Sequence, residues 1–236
     1  MTATPTARPA TRRRTGLLRT VALWLIIALS LAWSLAALSL ISLRFIDPPT
    51  TAVHVERRFQ AWIHHRRYRP RYHFIPLSQI SPNLQHAVIA AEDARFYQHH
   101  GFDWHQIRID ADANMEGGHR IRGASTLTQQ LVKNFFFGTG RSVLRKGAEF
   151  TLVPVAELVL GKRRILELYL NVVEWGPGVY GADAASHAYY GIAPRSISRD
   201  QAARLAAILP DPLHRRPQFM NRYSNIIQTR MTQMGW

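Results

Sequence analysis

The run TVALWLIIALSLAWSLAALSLISL, residues 20–43, holds 24 consecutive positions without a charged side chain. About 20 apolar residues suffice to cross a ~30 Å hydrocarbon core as a helix, so the run predicts a transmembrane helix. A secretory signal has an apolar stretch of only ~7–15 residues followed by a small-x-small cleavage site. This run is longer, and no clear site of that kind precedes Arg44, so it reads as a retained anchor. Arg8, Arg12, Arg13, Arg14 and Arg19 come before it with no acidic residue, whereas Arg44, Asp47 and Glu56 are mixed after it. The positive-inside rule then makes residues 1–19 a cytoplasmic basic tail and residues 44–236 an extracytoplasmic domain. Residues 1–16, rich in Pro, Thr and Arg without apolar periodicity, are expected to be disordered, and DPPT at 47–50 is expected to end the anchor helix.

A chain of 236 residues that is 47% hydrophobic supports one good-sized core once the anchor is set aside. The absence of cysteine excludes disulfides and thiolate metal sites. The net charge of +15 needs a partner. Five charges belong to the arginines ahead of the anchor; the others, HHRRYRPRYH at 64–73 included, lie beyond it. Arginine interleaved with tyrosine suits nucleic acid, anionic lipid headgroups or a pyrophosphate. Beyond a membrane anchor, nucleic acid is the least expected of the three.

The outer domain reads as mainly helical. SPNLQHAVIAAEDARFYQHHG opens with Ser81 as N-cap and Pro82 at the first helical position, carries Leu84, Ala87, Val88 and Ala91 at helical spacing, and has Gly101 as its stop. Further helices are expected over 125–137 with Ser125 as N-cap, over 142–160, and over 162–174. The last begins at Ser198, where Gln201 completes a capping box. Alternating patterns are scarce, so any sheet should be small.

Three stretches carry chemistry. On the first helix Glu92 shares a face with Val88 and Phe96, and desolvation there raises a carboxyl pKa toward the range of a general base. Asp93 points about 100° away. The pair reads equally as surface acids, although negative charge near a helix C-terminus is unfavourable and asks for another reason. His99 and His100 in the expected last turn fit the helix dipole without any catalytic role. In GASTLTQQLVKNFFF, residues 123–137, Gln129, Gln130, Lys133 and Asn134 form one polar stripe opposite Leu127, Leu131 and Phe135. Such a stripe offers amide and ammonium groups to a sugar or a phosphate. In RKGAE, Arg145 and Glu149 stand one turn apart with Lys146 beside them, which by itself is an ordinary i,i+4 pair. No HExxH or Cys/His spacing is present, so a metal site made only of protein ligands is not expected. GPGVYG at 176–181 matches GxGxxG literally, but it follows a helical pattern where the dinucleotide fingerprint needs a strand, and it reads as a tight loop.

Together these stretches resemble the peptidoglycan glycosyltransferases, the family of monofunctional biosynthetic transglycosylases and of the glycosyltransferase domains of class A penicillin-binding proteins. The matching stretches occur in the family's order: EDARFYQHHG, GASTLTQQLVKN, RKGAE, KRRILELYLN and GVYGADAASHAYYG, spanning roughly residues 55–215. With one amino-terminal anchor ahead of them and no sequence left for a penicillin-binding domain, the monofunctional type fits best. Ala124 replaces a glycine common in the family, Pro154 interrupts a helix that members usually continue, and Tyr190 stands where phenylalanine is frequent.

The resemblance implies a lysozyme-like helical glycosyltransferase domain behind a single transmembrane helix, in the bacterial inner membrane with the catalytic domain in the periplasm. It implies polymerisation of lipid II with inversion at the anomeric carbon and release of undecaprenyl pyrophosphate. Glu92 would be the general base acting on the incoming sugar 4-hydroxyl. Lys133 and Arg145 would hold the pyrophosphate, with Glu149 orienting them or sharing a divalent ion, Mg2+ or Mn2+; no organic cofactor is implied. Asp93, Phe96, His99, Thr126, Gln130 and Asn134 would shape the cleft. The partners implied are lipid II, the growing lipid-linked glycan chain and membrane lipid; penicillin-binding, divisome or elongation proteins are further options, and nucleic acid is not a partner. A glycan-cleaving lytic transglycosylase or muramidase, which also uses carboxylates on such a fold, is the nearest rival. A non-catalytic membrane-anchored scaffold is the rival from another class.

Overall fold

Helix α1 (Thr11–Leu43) contains the uncharged run. The computed structural model describes residues 11–115, 125–140 and 142–236. Among these, Gly16–Leu43 is the one stretch long and apolar enough to cross a membrane, with mean hydropathy 2.3. Leu17, Trp24, Leu29 and Leu38 all stand exposed on it. The helix starts at Thr11, so residues 11–16, expected to be disordered, are helical; residues 1–10 and Ala124 lie outside the described residues. The far end of α1 is tied to the domain. Leu40 is fully buried, Trp33 Nε1 donates to Thr151 Oγ1 at 3.0 Å, Arg44 donates to the Val159 carbonyl at 2.8 Å, and Arg164 donates to that of Leu43 at 2.9 Å.

The domain that follows is mostly helical. Helix α2 (Ala52–Ile63) leads to β1 (Arg71–Tyr72), α3 (Pro82–Glu92), α4 (Trp104–Met115), α5 (Leu127–Phe136) and the long α6 (Val143–Val172). A hairpin of β2 (Glu174–Gly176) and β3 (Val179–Tyr180) comes next, then α7 (Gly181–Tyr190), α8 (Arg199–Ile208) and α9 (Asn221–Gln233). The sheet is as small as the sequence suggests: β3 lies between β1, its parallel partner, and β2, its antiparallel one. The apolar faces of α3, α5, α6 and α8 meet in one core in which Leu84, Val88, Leu131, Ile165, Leu166 and Leu205 are all almost fully buried. GPGVYG is the hairpin's loop and exit. Gly181 has φ +82 and lies against the Asn171 carbonyl, where a β-carbon would collide.

Several boundaries differ from expectation. The first domain helix of the sequence reading stops at Glu92, not at Gly101, because Asp93 leaves helical geometry at φ −158 and ψ 69. Its side chain is engaged elsewhere. Ser81 precedes Pro82 as expected, but its hydroxyl donates to the Ile197 carbonyl at 2.9 Å instead of capping. In α5 the N-cap is Thr126, one residue after Ser125, with Gln129 closing a capping box. The box at Ser198 and Gln201 forms as expected. Pro154 does not interrupt α6; the break falls at Gly161, with φ 70 and ψ 162, and separates the two helices expected over 142–160 and 162–174.

Candidate active site

Glu92 is the last residue of α3, and the helix end aims its carboxyl at the side of α5. Gln130 Nε2 donates to Glu92 Oε2 at 2.8 Å, and the Gln130 carbonyl oxygen accepts the Tyr169 hydroxyl at 2.9 Å. Burial raises the Glu92 pKa, while the Gln130 hydrogen bond and the positive charges of Lys133 and Arg215 pull it down and Asp93 adds to the rise. Desolvation is the larger influence, as expected for a carboxyl at the foot of a cleft. The rise was legible from the apolar spacing around Glu92, although the face shared with Phe96 does not exist once the helix has ended.

Asp93, His99 and Thr126 are brought together as a frame beneath the base. Asp93 Oδ1 accepts His99 Nε2–H at 2.8 Å, and Asp93 Oδ2 accepts the Leu127 N–H at the start of α5 at 3.0 Å. His99 Nδ1 accepts the Gly101 N–H at 3.2 Å, which leaves the imidazole proton on Nε2, facing Asp93. Thr126 donates to the Gly101 carbonyl at 2.7 Å. Gly101 has φ +93 and sits where a β-carbon would press on Val153 at 2.5 Å. Phe96 is fully buried and forms no part of the open cleft; the Lys162 ammonium lies 4.5 Å from its ring centroid. Gln129 leaves the expected polar stripe because its side chain is spent on the capping box, accepting the Thr126 N–H at 2.9 Å.

The cations lie one turn further along α5 and at the start of α6. Lys133 is half-buried, and its pKa is lowered first by burial and then by Arg145 and Lys146, with Glu149 and Glu92 opposing. Glu149 is 2% exposed, with Arg145 Nε 3.0 Å from its Oε1 and Lys146 Nζ 3.2 Å from its Oε2. The Arg145–Glu149 contact is an ion pair without hydrogen-bond alignment, and both atoms are otherwise unpaired. Asn134 is half-buried on the same helix. A carboxylate enclosed this way holds cationic side chains in place.

The donor set does not fit a metal ion held by protein alone. Each Glu149 oxygen already faces a cation, which would repel a divalent ion. Asp93, His99 and Asp103 cluster, but Asp93 already accepts two hydrogen bonds and Asp103 accepts the Gln106 N–H and faces Arg95 at 3.5 Å.

A cavity of about 350 Å3 opens beside Glu92, lined by Asp93, Arg95 and Thr126 and closed by Arg230 and Gln233 of α9. Lys133 and Arg145 do not line it, so the base adjoins two regions, one open and one cationic. The sequence reading missed α9 here, since nothing in its pattern differs from a surface helix. Tyr169 is the other residue of the site not singled out by sequence, although a hydroxyl within the apolar run ILELYLN signals that something polar lies opposite.

A desolvated carboxyl between a cavity and a cation cluster, on a lysozyme-like helical domain behind an apolar amino-terminal helix, is an arrangement suited to glycosyl transfer. The chain belongs to the transglycosylase family, whose model matches residues 59–234. It is similar to the biosynthetic peptidoglycan transglycosylase of Pseudomonas fluorescens strain Pf0-1, 44% identical over 196 residues that make up 81% of each chain. It is also similar to the protein of that name from Ectopseudomonas mendocina strain ymp, 40% identical over 232 residues, covering 97% of this chain and 91% of the relative.

Proposed function

We infer that the chain is a peptidoglycan glycosyltransferase that polymerises lipid II into glycan strands. The observation that carries this reading is the Glu92 carboxyl, desolvated and hydrogen-bonded by Gln130, within the field of Lys133. As general base, Glu92 takes the proton from the 4-hydroxyl of the incoming lipid II sugar, and that oxygen attacks the anomeric carbon of the lipid-linked growing chain from the face opposite the leaving group. The anomeric carbon inverts and undecaprenyl pyrophosphate departs. Lys133 and Arg145 stabilise the charge that gathers on the pyrophosphate, and Glu149 orients Arg145 and Lys146. Asp93, His99 and Thr126 hold the base in place from beneath. A divalent ion, Mg2+ or Mn2+, would be bound through the pyrophosphate and would neutralise part of its charge, while Glu149 stays engaged with Arg145 and Lys146.

The cation cluster favours synthesis over cleavage, because a hydrolase has no pyrophosphate to hold. Helix α6 supports the same reading: it carries Arg145 and Lys146 at one end and packs through Thr151 and Val159 on the anchor, which keeps the phosphate region near the bilayer that holds the substrate's lipid. The arginine excess ahead of the apolar helix supports a cytoplasmic amino terminus and a periplasmic domain. Penicillin-binding or other wall-building proteins are the partners this setting suggests.

The test is a gel assay of the purified full chain with labelled lipid II. Polymer is expected from the wild type and none from Glu92→Gln, whose amide keeps the shape and cannot accept a proton. Near-normal polymer from a folded Glu92→Gln variant would remove the base assignment. A reporter fused after Trp236 should be active only outside the cytoplasm; cytoplasmic activity reverses the topology.

A further inference from the structure

Tyr169 lies in the second half of α6, fully buried, among the core residues Ile165, Leu166, Leu168 and Leu170. Its hydroxyl donates to the Gln130 carbonyl oxygen at 2.9 Å. The other end of that amide makes two contacts, Nε2 donating to Glu92 Oε2 at 2.8 Å and to the Ser125 carbonyl at 3.3 Å. We propose that Tyr169 is a positioning residue for the base: it fixes which end of the Gln130 amide faces Glu92, and so holds the carboxylate charged and aimed.

The argument rests on the two ends of an amide being chemically opposite. An ionised carboxylate only accepts hydrogen bonds, and so does a backbone carbonyl. Gln130 satisfies both only with its nitrogen toward them, which leaves its oxygen needing a donor on the far side. Tyr169 supplies that donor. With the amide reversed, its oxygen would face the Glu92 and Ser125 oxygens, two repulsive contacts at a half-buried place. Burial together with the Glu92 and Asp93 charges raises the Tyr169 pKa well above that of a free tyrosine, so the hydroxyl keeps its proton wherever the enzyme works.

The other charged groups around Glu92 do not depend on this contact. Lys133 of α5, Arg215 of the segment after α8 and the neighbouring Asp93 all act on it, and Arg95 and Arg230 line the cavity beside it. Removing the Tyr169 hydroxyl therefore changes one influence, the Gln130 N–H that lowers the Glu92 pKa.

The inference rests on Glu92 being the base, and the experiment separates the two. Initial rates of the full chain with labelled lipid II are measured across pH for the wild type, Tyr169→Phe, Gln130→Met, the double variant Tyr169→Phe/Gln130→Met, and Glu92→Gln. Tyr169→Phe is expected to lower kcat about 10-fold, the scale of one lost positioning hydrogen bond, with KM unchanged. The acidic limb of its pH profile moves to higher pH, because the carboxylate loses a donor to its charged form. A wild-type kcat, or a lower kcat with the acidic limb unmoved, overturns the proposal. The double variant has no amide to leave unpaired and controls for folding; it must be no slower than Gln130→Met, and a further drop overturns the proposal as well. If Glu92→Gln polymerises normally, it is the base assignment that fails, whatever Tyr169 does.

Discussion

The Asp93 carboxylate joins the end of α3 to the beginning of α5 through its 3.0 Å bond to the Leu127 N–H. An aspartate at this point answers two needs at once. The first N–H groups of α5 have no partner inside their own helix and carry the positive end of its dipole, so an anion there is favourable. The same bond fixes the distance between Glu92, the residue before Asp93, and Gln130, one turn into α5.

From this joint follows the expectation that Asp93→Ala costs stability and turnover together. It orphans the Leu127 N–H and His99 Nε2–H, both buried, and a lost buried partner of this kind costs about 1–3 kcal/mol. Asp93→Asn keeps one acceptor and should fall between alanine and wild type. Denaturant midpoints and lipid II rates on the three proteins check this; an alanine variant of wild-type stability would show that the joint is not held by the carboxylate.

The cationic side of the site gives a second expectation. Lys133→Ala should lower turnover at saturating substrate by about 10²- to 10³-fold, the scale of removing one preorganised electrostatic donor, roughly 2.7–4 kcal/mol. Lys133→Arg keeps the charge with a different reach and should retain part of the activity, whereas Lys133→Gln should not. Equal initial rates for the arginine and glutamine variants would refute the pyrophosphate role.

The two shifted groups predict the shape of the pH profile. Glu92 must be ionised to act as base, and burial raises its pKa, so the acidic limb should lie above that of an ordinary carboxylate. Lys133 must be protonated to hold phosphate, and burial beside Arg145 and Lys146 lowers its pKa, so the basic limb should lie below that of an ordinary lysine. The working range is therefore squeezed from both sides into a bell. In Lys133→Arg, whose guanidinium stays charged, the basic limb should move outward; a limb that stays put assigns it to another group.

Much of this arrangement was legible in the residues. The long apolar helix α1, the break at Gly161 and the capping box at Ser198 each follow from local rules that tertiary packing did not override. The end of α3 was not legible, because nothing local stops a helix at Glu92. What stops it is Asp93 reaching Leu127, a residue far along the chain. The same limit applies to Gln129 and Gln130. Adjacent and alike in sequence, they part company because Thr126 rather than Ser125 caps α5 and draws Gln129 inward. Of the groups assigned to the cleft, Phe96 belongs to the core, and the walls supplied by α9 come from a helix without any local mark of function.

His54, away from the cleft, carries the last expectation. It is 3% exposed, donates from Nε2 to the Val172 carbonyl at 3.2 Å and packs at 4.0 Å against the Tyr180 ring. Burial is the main reason its pKa drops to about 4, with Arg58 adding to the drop and the Val172 bond opposing it. The unfolded chain takes up a proton on this ring below about pH 6.5, but the folded chain does so only below about 4. The contribution of neutral His54 to stability is therefore complete above the higher value and declines as pH falls toward the lower one. His54→Gln keeps a donor for Val172 and cannot titrate, so melting temperature against pH should fall less steeply between those two values than in the wild type. Parallel curves for the two proteins would mean that the acid sensitivity in this range comes from other groups, the carboxylates and His86 among them.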